Sequence, residues 1–76
     1  MSKYIQREST LRKLLRAGRL RSNLRQVDVA KTLGKPQSYI AKVENGERQL
    51  SFIETLDFCD AIKLDAHELV DKLTKE

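Results

Sequence analysis

QVDVAKTLGKPQSYIAKV, residues 26–43, is the stretch on which the reading of this chain turns. Two short helical patterns meet in it at Gly34. Val27, Val29, Ala30 and Leu33 stand at helical spacing, and Val27, Ala30 and Leu33 are expected to form the buried face of the first helix. Gly34 suits a left-handed backbone that costs almost every other residue free energy, so it ends that helix. Lys35-Pro36 follows, where proline drives Lys35 out of the helical region and fixes its own φ for a new helix start. The second helix then buries Ile40 and Val43, three residues apart, while Gln37, Ser38, Ala41 and Lys42 fall on another side. Two helices joined by so tight a turn make a helix-turn-helix.

Outward from this stretch the pattern stays helical. On its N-terminal side, Ser9 can cap a helix in which Leu11, Leu14, Leu15 and Gly18 recur at 3–4 spacing, with Arg12, Lys13 and Arg16 solvated. Asn23 suits the left-handed residue at its end, and Leu24 returns the chain to the core. Residues 1–8 carry no strong capping or periodic signal and read as a flexible arm. On the C-terminal side, Gly46 ends the third helix. Ser51-Phe-Ile-Glu54 is a capping box, opening a helix that buries some combination of Phe52, Ile53, Leu56, Cys59 and Ile62. Asp65-Ala-His-Glu68 reads as another, before Ala66, Leu69, Val70 and Leu73 at 3–4 spacing.

Composition bounds what such a chain does. Its 76 residues allow one small domain with a modest core. One cysteine forms no internal disulfide, no apolar run approaches membrane-spanning length, and MSKYIQREST lacks a signal-peptide core, so a soluble cytoplasmic protein is expected. The net charge of +4 divides unevenly: residues 1–49 carry twelve Lys or Arg against four Asp or Glu, and residues 50–76 carry three against seven. A basic front half that contains the helix-turn-helix points to a polyanionic partner, with the acidic half facing away.

At these residues the chain resembles the Cro/CI-type helix-turn-helix regulators, the family that includes phage repressors and the xenobiotic-response-element group. Leu24, Gln26, Ala30, Gly34, Tyr39, Ile40, Val43, Glu44, Asn45 and Gly46 carry the likeness, which runs from about Leu11 to Leu73. Ala30, Gly34 and Ile40 together fall at the family's spacing. The resemblance implies an all-α, compact five-helix domain of the lambda-repressor kind over residues 9–76. It also implies a sequence-specific regulator of transcription bound to a double-stranded DNA operator, a repressor acting as a homodimer through its third helix.

Residue roles follow from that likeness combined with side-chain chemistry. Gln37 and Ser38, at the start of the third helix, and Lys42, one turn on, are expected to read bases: glutamine matches adenine, and lysine can reach guanine or phosphate. Arg25, Gln26, Lys35, Tyr39, Asn45 and Arg48 are expected on the DNA backbone. A ring packed between helices is the competing use of Tyr39. Family members commonly pair an arginine at the position of Arg19 with a glutamate at that of Glu44; both are present. Ala30, Gly34, Ile40 and Val43 complete the structural set.

Two residues depart from the family pattern. Arg25 stands where serine or threonine usually caps the second helix, a loss of roughly 1 kcal/mol unless a phosphate meets its charge. Pro36 replaces another hydroxyl, leaving the amides at the start of the third helix to phosphate or water.

The C-terminal region often joins two subunits in this family, which makes Leu64, Leu69, Val70 and Leu73 candidates for a dimer interface, with packing inside one chain as the competing use. No nucleophile beside a base, carboxylate cluster or glycine-rich phosphate loop suggests an enzyme. His67 lies in a capping segment, and Cys59 reads as a small core residue. Neither metal nor cofactor is implied. The alternative to a repressor is an antitoxin, the same fold capturing a toxin as its protein partner.

Overall fold

The computed structural model describes residues 2–75. Its helices are α1 (Lys3–Arg21), α2 (Gln26–Leu33), α3 (Gln37–Asn45), α4 (Phe52–Ile62) and α5 (Ala66–Thr74). The described residues contain no strand. The chain is an all-α, five-helix domain in which α2 packs on α3 and α4, and α1 runs behind α3, α4 and α5.

The first helix begins earlier than the sequence suggests. Ser2, not Ser9, is its cap: the Ser2 hydroxyl accepts the Ile5 N–H at 3.2 Å. Nothing from Lys3 to Glu8 interrupts a helix once that cap is in place, because the segment has neither glycine nor proline. Residues 3–8, expected as a flexible arm, are therefore helical; Met1 lies outside the described residues. At the other end Asn23 is left-handed, with φ 59°, and the Leu24 N–H donates to the Arg19 carbonyl at 3.1 Å. The Ser22 hydroxyl donates to the Ile62 carbonyl at 2.8 Å, tying the end of α1 to the end of α4.

Leu15, Val29, Ala30, Ile40, Val43, Phe58, Cys59, Ile62 and Leu69 form the core. In α2 the buried stripe is Val29, Ala30 and partly buried Leu33, whereas Val27 is exposed. Val27 was expected inside, but it lies about 160° around the helix from Val29, and only one of the two can face α4. In α4 the buried set is Phe58, Cys59 and Ile62. Phe58 carries that face one turn before Ile62, and Phe52 and Ile53, expected in the core, are left 68% and 65% exposed.

The caps of the last helices differ. At α4 the box closes: the Glu54 N–H donates to the Ser51 hydroxyl at 3.1 Å, and the Ser51 N–H to the Glu54 carboxylate at 2.8 Å. At α5 Asp65 instead accepts the His67 N–H at 2.9 Å, and Glu68 pairs with Lys72 at 3.2 Å, so no box forms there. Leu69 is buried within the single chain, which removes it as a dimer contact. Leu64 and Leu73 pack against the core from its edge, and Val70 stays exposed.

Candidate nucleic-acid interface

The turn between α2 and α3 is built on Gly34, whose φ of 67° no β-carbon resists. The Gly34 N–H donates to the Lys31 carbonyl at 3.2 Å and the Lys35 N–H to the Ala30 carbonyl at 2.9 Å, closing the end of α2. Pro36 is extended, and α3 starts at once behind it with no side chain capping its first amides. Ile40 and Val43 bury one side of α3, while Gln37, Ser38, Lys42 and Asn45 are exposed. Those four fall within an arc of about 140° opposite the core.

A chain of polar contacts runs from the core to that arc. Arg19, 7% exposed, meets Glu44 through two bonds, Nε to Oε2 at 2.6 Å and Nη2 to Oε1 at 2.9 Å. Its Nη1 donates to the Leu24 carbonyl at 2.9 Å. Glu44 Oε1 also accepts from Gln26 Nε2 at 3.0 Å, and Gln26 Oε1 accepts from Gln37 Nε2 at 2.7 Å. The direction of this chain is dictated by its buried end. An ionised carboxylate only accepts, so Gln26 must turn its NH₂ inward and its carbonyl outward. Gln37 in turn gives Gln26 one N–H, keeping its second N–H and its carbonyl for a partner outside the protein.

Tyr39 sits beside this face in a charged setting. Lys35 Nζ lies 5.3 Å and Arg48 Cζ 5.1 Å from its ring centroid. Burial pushes the Tyr39 phenol above its ordinary pKa, helped by the nearby Glu54 carboxylate. Arg48 bonds Glu54 at 2.8 Å through Nη2 and also reaches the Gln49 carbonyl, so this guanidinium, expected on a phosphate, is already engaged within the chain. The Ser51 N–H, and then Arg48, hold the Glu54 carboxyl below its usual range.

At the start of α2, Arg25 is 79% exposed at its side chain and pairs with Asp28 at 3.2 Å. Asp28 also accepts the Arg25 N–H at 2.8 Å, which is half of a capping box; a guanidinium has no acceptor to complete the other half. This exchange holds the Asp28 carboxyl below its ordinary pKa, the Arg25 side chain being the chief cause. Asp28 was not singled out in the sequence, although an acid three residues after a cap position is its signal.

With this geometry in view, the comparisons with known proteins are specific. Residues 10–73 match the helix-turn-helix domain family. The solved structure of an XRE-family like protein from Pseudomonas syringae pv. tomato str. DC3000 is similar at 39% identity and a TM-score of 0.90, over 95% of this chain and 88% of that one. The chain belongs to the Cro/CI-type helix-turn-helix family. The wild-type restriction-modification controller protein C.Esp1396I shares the fold, with a TM-score of 0.80 at 19% identity over 91% of each chain. No curated protein matches. Family and fold together make this a DNA-binding regulator of transcription. Among the described residues, no helix of this regulator is long and apolar enough to cross a membrane.

Proposed function

We propose that the protein is a repressor that recognises one operator sequence in double-stranded DNA as a homodimer, with α3 in the major groove. The orientation of Gln37 carries this reading. Adenine offers N7 to a donor and N6–H to an acceptor, and the contact to Gln26 leaves Gln37 with one of each. Ser38 lies beside it on the exposed face of α3, and Lys42 lies one turn on, within reach of guanine. Gln26 and Lys35 beside that face, and Asn45 at its C-terminal end, serve the DNA backbone, as does Arg25 once a phosphate replaces Asp28. Tyr39 acts through its ring, as a platform for the Lys35 and Arg48 cations.

Occupancy supplies the mechanism: two copies place their α3 helices in successive major grooves, about 34 Å apart, and exclude polymerase. Selection of bound duplexes from a random pool at about 150 mM salt tests it. A two-fold symmetric enriched site is expected. An asymmetric site overturns the symmetric dimer, and no enrichment by folded protein overturns operator reading in favour of a protein partner such as a toxin.

A further inference from the structure

Two adjacent large apolar side chains, Phe52 and Ile53, stand in solvent at the first turn of α4, 68% and 65% exposed. Their exposure does not come from a frayed end, because both parts of the Ser51–Glu54 capping box are made and the Arg48–Glu54 ion pair braces the same turn. The Tyr4 hydroxyl accepts from Gln49 Nε2 at 2.8 Å, which brings the start of α1, with exposed Tyr4 and Ile5, to the loop leading into α4. We infer that this surface, rather than α5, is where a second copy of the chain docks. The inference rests on the homodimer reading above and assigns its contact.

A second copy fits the patch for three reasons. An apolar surface is complementary to itself, as a two-fold contact requires. By contrast α5 offers Val70 as its one large exposed apolar side chain, and its charges are already matched in pairs, Glu68 with Lys72 and Asp71 with Lys75.

The second reason is area. Tyr4, Ile5, Phe52 and Ile53 together present on the order of 500 Å² per copy, so a two-fold contact that covers all four buries about 1,000 Å², the threshold at which a weak biological interface stands apart from an incidental one.

Distance is the third. Half-sites about 34 Å apart put each α3 about 17 Å from the dyad. The middle of a nine-residue helix lies about 7 Å from its end, and the six residues from Gly46 to Ser51, which span at most ~20 Å, keep Phe52 within reach of that dyad.

Ile53→Asp, Phe52→Glu and the control Val70→Asp test the assignment by sedimentation equilibrium, with helix content and melting checked by circular dichroism. All three positions are solvent-exposed. The wild type and Val70→Asp are expected to be dimers at tens of micromolar, with both α4 variants monomeric. On the two-fold duplex enriched by selection, Ile53→Asp should bind ~100-fold more weakly, and on a single half-site with wild-type affinity. A monomeric Val70→Asp beside a dimeric Ile53→Asp would place the contact on α5 and overturn the inference. A wild type that stays monomeric, alone and on DNA, also overturns it. Failure of operator reading shows separately, as a wild type without preference for any duplex, because association measured without DNA still decides the contact.

Discussion

Arg19 and Glu44 show how little one interaction reveals about the worth of a residue. Both side chains are almost removed from water, and the carboxylate accepts from Arg19 twice and from Gln26 once. Desolvation offsets most of the attraction within such a pair, so its presence adds modestly to stability, while removing one partner strands a buried charge. Glu44→Leu is therefore expected to destabilise the domain by about 3 kcal/mol, Arg19→Met by a similar amount, and Arg19→Met/Glu44→Leu by clearly less than either. Urea unfolding of the four members of the cycle measures the coupling, and additive losses would show that the two charges act independently. Glu54 supplies the matching case at the surface. Its folded pKa is depressed below the ordinary 4.5, so the stability it contributes is present above the unfolded pKa and lost as pH falls through the folded value. Glu54→Gln should lower the melting temperature at pH 7, and the two melting curves should converge once the pH has fallen below the depressed folded pKa, where both side chains are neutral.

At the scale of elements, α2 and α3 act as one body because the glutamine relay crosses the turn between them. Gln26→Ala removes the group that orients Gln37 without touching Gln37 itself. It should relax preference at the base pairs that Gln37 reads by roughly 5- to 10-fold, within the 1–3 kcal/mol of a bidentate base contact. The double variant with Gln37→Ala should lose no more at those base pairs than Gln37→Ala alone. Binding to a panel of single-base-pair variants measures this, and additive losses would mean that Gln26 does not act through Gln37.

What was legible beforehand follows the same division. The turn at Gly34, the left-handed Asn23 and the Ser51 box rest on local chemistry that two or three residues carry by themselves. The choice of Val29 over Val27, and of Phe58 over Phe52, depends on which side of a helix meets its neighbours, and a short apolar pattern satisfies either. The start of α1 was hidden for a simpler reason: Ser2 and Ser9 are equal as caps, and an uninterrupted run behind Ser2 lengthens the helix. Pairing of Arg48 with Glu54 needs the whole loop from Gly46 to Ser51 folded before the two meet. That Gln37, Ser38 and Lys42 share one side of α3 was readable from helical spacing, but the bond from Gln37 to Gln26, which orients the Gln37 amide, was not.

Over the whole molecule, charge is segregated along the chain, with an excess of eight positive charges in residues 1–49 and of four negative in residues 50–76. Where that basic excess borders α3, through Arg25, Lys35 and Lys42, it favours the approach of this face to a duplex, and each phosphate neutralised releases counterions. Two cations assigned to the DNA backbone, Arg25 and Lys35, suggest about four phosphate contacts for a two-fold complex and a slope near −4 for log K against log salt. Lys35→Ala should weaken binding to all duplexes alike and reduce that slope by about two units, one for each copy. Lys72→Ala, on α5 and paired with Glu68, should leave it unchanged. Titrations of operator and random duplex between 50 and 300 mM salt separate these outcomes. A slope that responds equally to both substitutions would mean that the net charge of the domain, and not a defined face beside α3, governs its attraction to DNA. A Lys35→Ala effect confined to the operator would instead make Lys35 a reader of bases.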